Sequence, residues 1–76
     1  MNNLGVVLFH STSAALRSEK LLKAAGLTVK LIPTPREFSS ECGLALRFAW
    51  DQAEKARSVL DAARIDIAGI HALTSY

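Results

Sequence analysis

The sequence predicts an α+β sandwich, a four-stranded sheet with two helices on one face, and three observations carry that expectation. Apolar residues alternate in four short segments, they recur at helical spacing in two longer ones, and Gly, Pro and hydroxyl residues punctuate the boundaries. The resulting element order is βαββαβ in a chain of 76 residues. Residues 1–76 are expected to form a single domain. A chain this short buries only ~60% of the surface exposed by its unfolded form, so no large substrate cavity is expected.

The first strand is Leu4 to Phe9, LGVVLF, an apolar β-rich run suited to a central position covered on both sides. Ser11, Thr12 and Ser13 follow, and any of the three can cap the next helix. In that helix Ala14, Ser18, Leu21, Leu22 and Ala25 share a stripe, while Arg17, Lys20 and Lys23 point elsewhere. Gly26 supplies a left-handed stop. Leu27 and Thr28 then lead into a second strand of Val29, Lys30, Leu31 and Ile32. In the third strand Leu44, Leu46 and Phe48 alternate with Ala45 and Arg47, giving one apolar and one less apolar face, and the strand ends near Trp50. Asp51 with Glu54 three positions on predicts a capping box. Gln52, Ala53, Ala56, Val59, Leu60 and Ala63 form the buried stripe of the second helix, and Trp50 reads as core. Ile65, Ile67, Ile70 and Leu73 make the last strand, interrupted by Gly69.

A right-handed βαβ crossover makes the first two strands parallel and leaves room between them for the third. This is the ferredoxin-like split βαβ arrangement, with strands in spatial order four, one, three, two. The connection between strands two and three is too short for a parallel crossover. In this topology the end of strand one, the start of the first helix and the loop joining strands two and three emerge at one edge of the sheet. His10, Ser11, Thr12, Ser13 and Cys42 are therefore expected to be neighbours, with His71 farther away along the fourth strand.

Composition narrows the function classes. The net charge of +2 and the few aromatic residues fall short of the clustered basic face of nucleic-acid binders. No apolar run is long enough to span a bilayer. Met1, Asn2 and Asn3 followed by a short apolar run do not make a signal peptide. One cysteine cannot form an internal disulfide, and a reducing cytoplasm is the expected location. Neither a CxxC pair nor an HxxxH pattern is present, so neither a metal nor another cofactor is expected.

The segment Ile32 to Gly43, IPTPREFSSECG, departs furthest from ordinary core sequence. Thr34, Pro35 and Glu37 spell a helix start, predicting one helical turn through about Ser39. Cys42 would follow the carboxyl end of that turn, where the partial negative charge and Glu41 disfavour a thiolate. A reactive thiol there needs a compensating positive field, which the amino end of the first helix with Arg36 or Arg47 could supply, Lys20 being a weaker source. The competing reading makes Cys42 a small buried hydrophobe. Ser39, Ser40 and the Ser11 to Ser13 cluster have an ordinary role as caps and turn formers. Arg36 has one as a solvated charge and His10 as a strand-end residue, and no serine, histidine and acid set has persuasive spacing.

IPTPREFSSECGLALRF, preceded by FHSTSAALRSEKLLKAAGLTVKL, resembles a bacterial family of small selenium/sulfur carrier-like domains. The resemblance rests on Ile32 to Arg36, Ser39, Ser40, Cys42 and Gly43 and covers roughly Val6 to Phe48. It implies a carrier rather than a turnover enzyme, with a persulfide or selenium adduct on Cys42 and with sulfur or selenium donor and acceptor proteins as partners. Arg36, Ser39, Ser40, Gly43, His10, Ser11, Thr12 and Ser13 are the expected supporting residues. A single cysteine suits such a role because no second thiol can discharge the adduct as a disulfide. The alternative is a non-catalytic module that binds a small anion or a partner protein, with Cys42 structural. An exposed sheet edge, the second or fourth strand, offers a route to a homodimer.

Overall fold

The computed structural model describes residues 3–38 and 43–73. Among these the order is β1 (Leu4–Phe9), α1 (Thr12–Ala24), β2 (Val29–Pro33), β3 (Leu44–Ala49), α2 (Ala53–Ala62) and β4 (Ile67–Leu73), with a 3-10 turn Trp50–Gln52 leading into α2. The sheet runs β2-β3-β1-β4. β1 pairs antiparallel with β3 and β4, and β3 pairs antiparallel with β2, which leaves β1 and β2 parallel and separated by β3. The expected α+β architecture and strand order are both present.

Strand alternation assigns the faces. Val7, Phe9, Val29, Leu46 and Phe48 point to one side, where they share a core with Ala15 and Leu22 of α1 and Ala56 and Leu60 of α2. Both helices therefore cover the same face. Val6, Leu8 and Ala45 point to the other face and are also buried, packed with Ile32, Phe38 and Leu73. β1 is thus covered on both sides, as its uninterrupted apolar run predicts. A bulge between Leu8 and Phe9 re-registers β4: Leu8 faces Gly69 and Phe9 faces Ile67, leaving Ala68 as the extra residue.

Helix ends account for most of the chain reversals. Ser11 is the cap of α1, its Oγ accepting the Ala14 N–H at 3.2 Å. At the other end the Gly26 N–H donates to Lys23 O and the Leu27 N–H to Leu22 O, both at 3.0 Å, with Gly26 at φ 91°. This is the paired-bond closure that glycine serves best. α2 closes in the same way, the Arg64 N–H donating to Asp61 O and the Ile65 N–H to Leu60 O, but here arginine takes the left-handed position at φ 57°. Arg64→Gly is therefore expected to raise stability by about 1 kcal/mol, the cost of a side chain in that conformation, read as a shift of the urea midpoint at constant slope. An unchanged or lower midpoint would overturn the assignment.

One local expectation is corrected. Asp51 and Glu54 do not form a capping box, because Gln52 is the cap residue of α2 and has no side-chain cap bond. The 3-10 turn places Asp51 inside a helical segment and one position too early. Ser18, on the buried stripe of α1, is fully buried with its Oγ unpaired, the one polar side chain in the described core.

Candidate functional site

The sheet register fixes which residues share the edge that carries the unusual loop. Leu8 faces Ala45 and Pro33 faces Leu44, so the end of β1, the end of β2 and the start of β3 lie together. His10 and Ser11 follow β1 directly, Thr12 and Ser13 open α1, and all four are exposed. On the neighbouring strands the Thr34 N–H donates to Gly43 O at 3.0 Å, closing the base of the loop one step beyond β2 and β3. Gly43 is pinned at that edge beside Thr34. Cys42, Ser39 and Ser40 lie outside the described residues.

The helical turn expected through about Ser39 runs beyond Phe38, and its end lies outside the described residues. A single bond from the Phe38 N–H to Pro35 O, 3.0 Å, closes a turn over Pro35–Phe38, with Arg36 and Glu37 exposed at its tip. After the turn, Phe38 comes back over the sheet face opposite the helices, where it packs with the Val6, Leu8 and Ala45 cluster. Its ring stacks on His71 with centroids 4.7 Å apart and planes 19° from parallel.

His71 is therefore not remote from the loop. It faces Val6 in the middle of the sheet, but Phe38 reaches it from the turn. Sequence reasoning misses this contact because Phe38 folds across the open face instead of standing at the edge. One available signal is Phe38 itself, an aromatic residue in an otherwise polar loop. Another is Gly69, where a Cβ would stand 2.9 Å from His71 Nε2, so the small residue leaves room for the imidazole. Phe38→Ala is expected to free this limb, raising hydrogen exchange at the Phe38 and Thr34 amides by about tenfold, the equivalent of one aromatic pair. Unchanged exchange would show that the stack does not hold the loop.

The loop position also sorts the candidate cations. Arg47 alternates with Leu46 and Phe48, so it belongs to the open face over which Phe38 lies, whereas α1 covers the other face. Arg36 sits at the exposed tip, and Lys20 is on the exposed side of α1. A Cβ at Gly43 would meet nothing within 4 Å among the described residues, so their packing does not demand glycine there. Among the described residues no three His, Cys, Asp or Glu side chains gather as a metal set, and no helix is long and apolar enough to cross a membrane.

Comparison with known proteins places this edge in a family context. The family model described as "Putative Se/S carrier protein-like" matches residues 4–72, which includes both sides of the loop. The chain is also 34% identical over 53 residues to the "Uncharacterized protein YtiA" of Escherichia coli (strain K12), covering 70% of this chain. The matched segment spans 62% of that relative's length. No solved structure matches the chain.

Proposed function

The chain belongs to the family described as "Putative Se/S carrier protein-like", and on that premise we propose that Cys42 holds the cargo, as a persulfide or its selenium counterpart, for transfer between a donor and an acceptor protein. The observation that carries this reading is that the family match runs across the only cysteine of the chain. A carried sulfur or selenium atom needs a nucleophilic anchor, and a thiolate is the side chain that forms such an adduct reversibly.

The exchange needs no external oxidant. The Cys42 thiolate attacks the outer sulfur of a persulfide on the donor, the donor's S–S bond breaks, and its electron pair leaves on the donor cysteine. Cys42 then carries the transferred sulfur until an acceptor thiolate attacks that atom and Cys42 departs as thiolate. A chain with one cysteine cannot collapse the adduct into its own disulfide. A reducing compartment, the cytoplasm, keeps the free thiol available.

The supporting residues divide into two groups. Arg36, Ser39, Ser40 and Gly43 flank the thiol along the chain, where Arg36 would offset the charge of the adduct and the bare backbone of Gly43 would admit a partner. His10, Ser11, Thr12 and Ser13 share the sheet edge with Gly43 and would add the amino end of α1 as a source of positive field.

Mass spectrometry after incubation with a cysteine desulfurase and cysteine tests the proposal. A single sulfur added to the wild type and absent from Cys42→Ser is the expected result. No addition, or equal addition to the variant, would overturn it. Alkylation at neutral pH separates the carrier from a module with a structural cysteine: Cys42 is expected to react faster than in the denatured chain.

A further inference from the structure

A second feature lies at the far end of the sheet from the loop. The open face carries a shallow cavity of about 150 Å³ lined by Leu4, Thr28, Lys30, Arg47 and Ala49, with Val29 and Phe48 also in its wall. Leu4 begins β1, Val29 begins β2 and Ala49 ends β3, so the cavity sits five residues along β1 from Phe9 and the loop edge. At a strand rise of ~3.3 Å per residue that separation is roughly 16 Å.

The charge in this cavity is one-sided. Lys30 and Arg47 are direct cross-strand partners, and both line the cavity. Like charges placed directly opposite each other oppose strand pairing. Neither cation is joined to a carboxylate among the described residues, where Glu19 with Lys23 is the ion pair present. Among the described residues the cavity lining contains no Asp or Glu. Thr28 adds a hydroxyl donor at the same rim, while Leu4 and Ala49 form an apolar floor. Arg47 is half-buried, which holds its guanidinium stem against the sheet, and Lys30 is exposed.

We propose that the Lys30–Arg47 cavity binds a small carboxylate bearing a short apolar group. The planar fork of Arg47 matches a carboxylate with two parallel bonds, and Lys30 supplies a second, movable positive charge. The apolar floor receives the short chain. At about 30 Å³ per water in the liquid, the cavity holds some five waters, the size of a metabolite of fewer than ten heavy atoms. A bound anion also relieves the repulsion between the two cations, so ligand binding and sheet stability are linked. This site is separate from the Cys42 edge and does not depend on sulfur carriage.

Amide chemical shifts of the full chain, followed during titration with sodium butyrate, test the site. Saturable shifts at Leu4, Lys30, Arg47 and Ala49 with a dissociation constant on the order of millimolar are expected, together with at least a tenfold weakening in Arg47→Gln and in Lys30→Gln. Arg47→Lys, which keeps the charge and loses the fork, is expected to weaken binding by an intermediate factor. Sodium chloride at equal ionic strength serves as the control, and butyrate shifts that match it without saturating would overturn the site. Saturation by inorganic phosphate with no response to butyrate would overturn the carboxylate assignment. Both glutamine variants alter side chains outside the buried core, and their unligated spectra report directly whether the fold is retained.

Discussion

Gly5→Ala is expected to lower the melting temperature by roughly 8–20 °C, the net of the two opposing effects. A Cβ at Gly5 would stand 2.5 Å from Trp50 Cε3 and 2.8 Å from Phe48 Cζ, distances at which carbon atoms cannot coexist. The two rings already lean on each other, with centroids 6.0 Å apart, and Phe48 is almost fully buried and has no space to withdraw, while Trp50 is half-buried. Two effects oppose each other at this position. Alanine in place of a strand glycine ordinarily adds about 0.5–1 kcal/mol by restricting the unfolded chain. Overpacking against fixed aromatic rings costs up to about 3 kcal/mol, and at 4–8 °C per kcal/mol for a domain of this size the penalty dominates. Trp50→Leu removes the nearer ring, so the Gly5→Ala, Trp50→Leu double variant should lose much less than the two single changes summed. A stabilised Gly5→Ala variant, or a strictly additive double variant, would show that the clash is not the controlling term.

Gly5 marks the division between what the sequence discloses and what only the fold reveals. Within LGVVLF the apolar character of Val6, Val7, Leu8 and Phe9 is enough to place a strand covered on both faces, and all four are buried. The strand order follows from the same local information, since a short link between β2 and β3 permits only a hairpin and the helical links permit crossovers. The partner of Gly5 is legible only once β3 is in register, because Phe48 faces it across the sheet and Trp50 lies beyond. The candidate edge has the same mixed character. The topology gathers His10, Ser11 and Gly43, all of which follow from where elements begin and end. The placement of Phe38 does not follow from element ends, because it is drawn across the open face by apolar surface that includes Val6 and Leu8. Arg64 shows the opposite failure of pattern reading: its left-handed conformation is set by the bonds that close α2, and no glycine announces it.

Phe9→Ala is expected to be more damaging than any other single truncation near the candidate edge, with a loss of about 3–5 kcal/mol. Stability for a chain of 76 residues is about 4–11 kcal/mol in total, so the variant retains little or no margin. The reason is position as much as size. Phe9 is fully exposed to neither solvent nor the sheet edge but buried at 0% exposure, facing Ile67 at the β4 bulge within the core shared by both helices. Removing its ring opens a void where β1 passes into His10 and the Ser11 cap, so the loss falls on the junction that brings α1 to the same edge as Gly43. Phe9→Leu keeps most of the volume and is expected to remain folded with a lower urea midpoint and an unchanged slope. That variant makes the consequence separable from simple unfolding. If the edge acts through its geometry, Phe9→Leu should slow sulfur loading of Cys42 while the native spectrum persists. A midpoint equal to wild type would remove Phe9 from the list of core supports, and normal loading at a reduced midpoint would confine its role to stability.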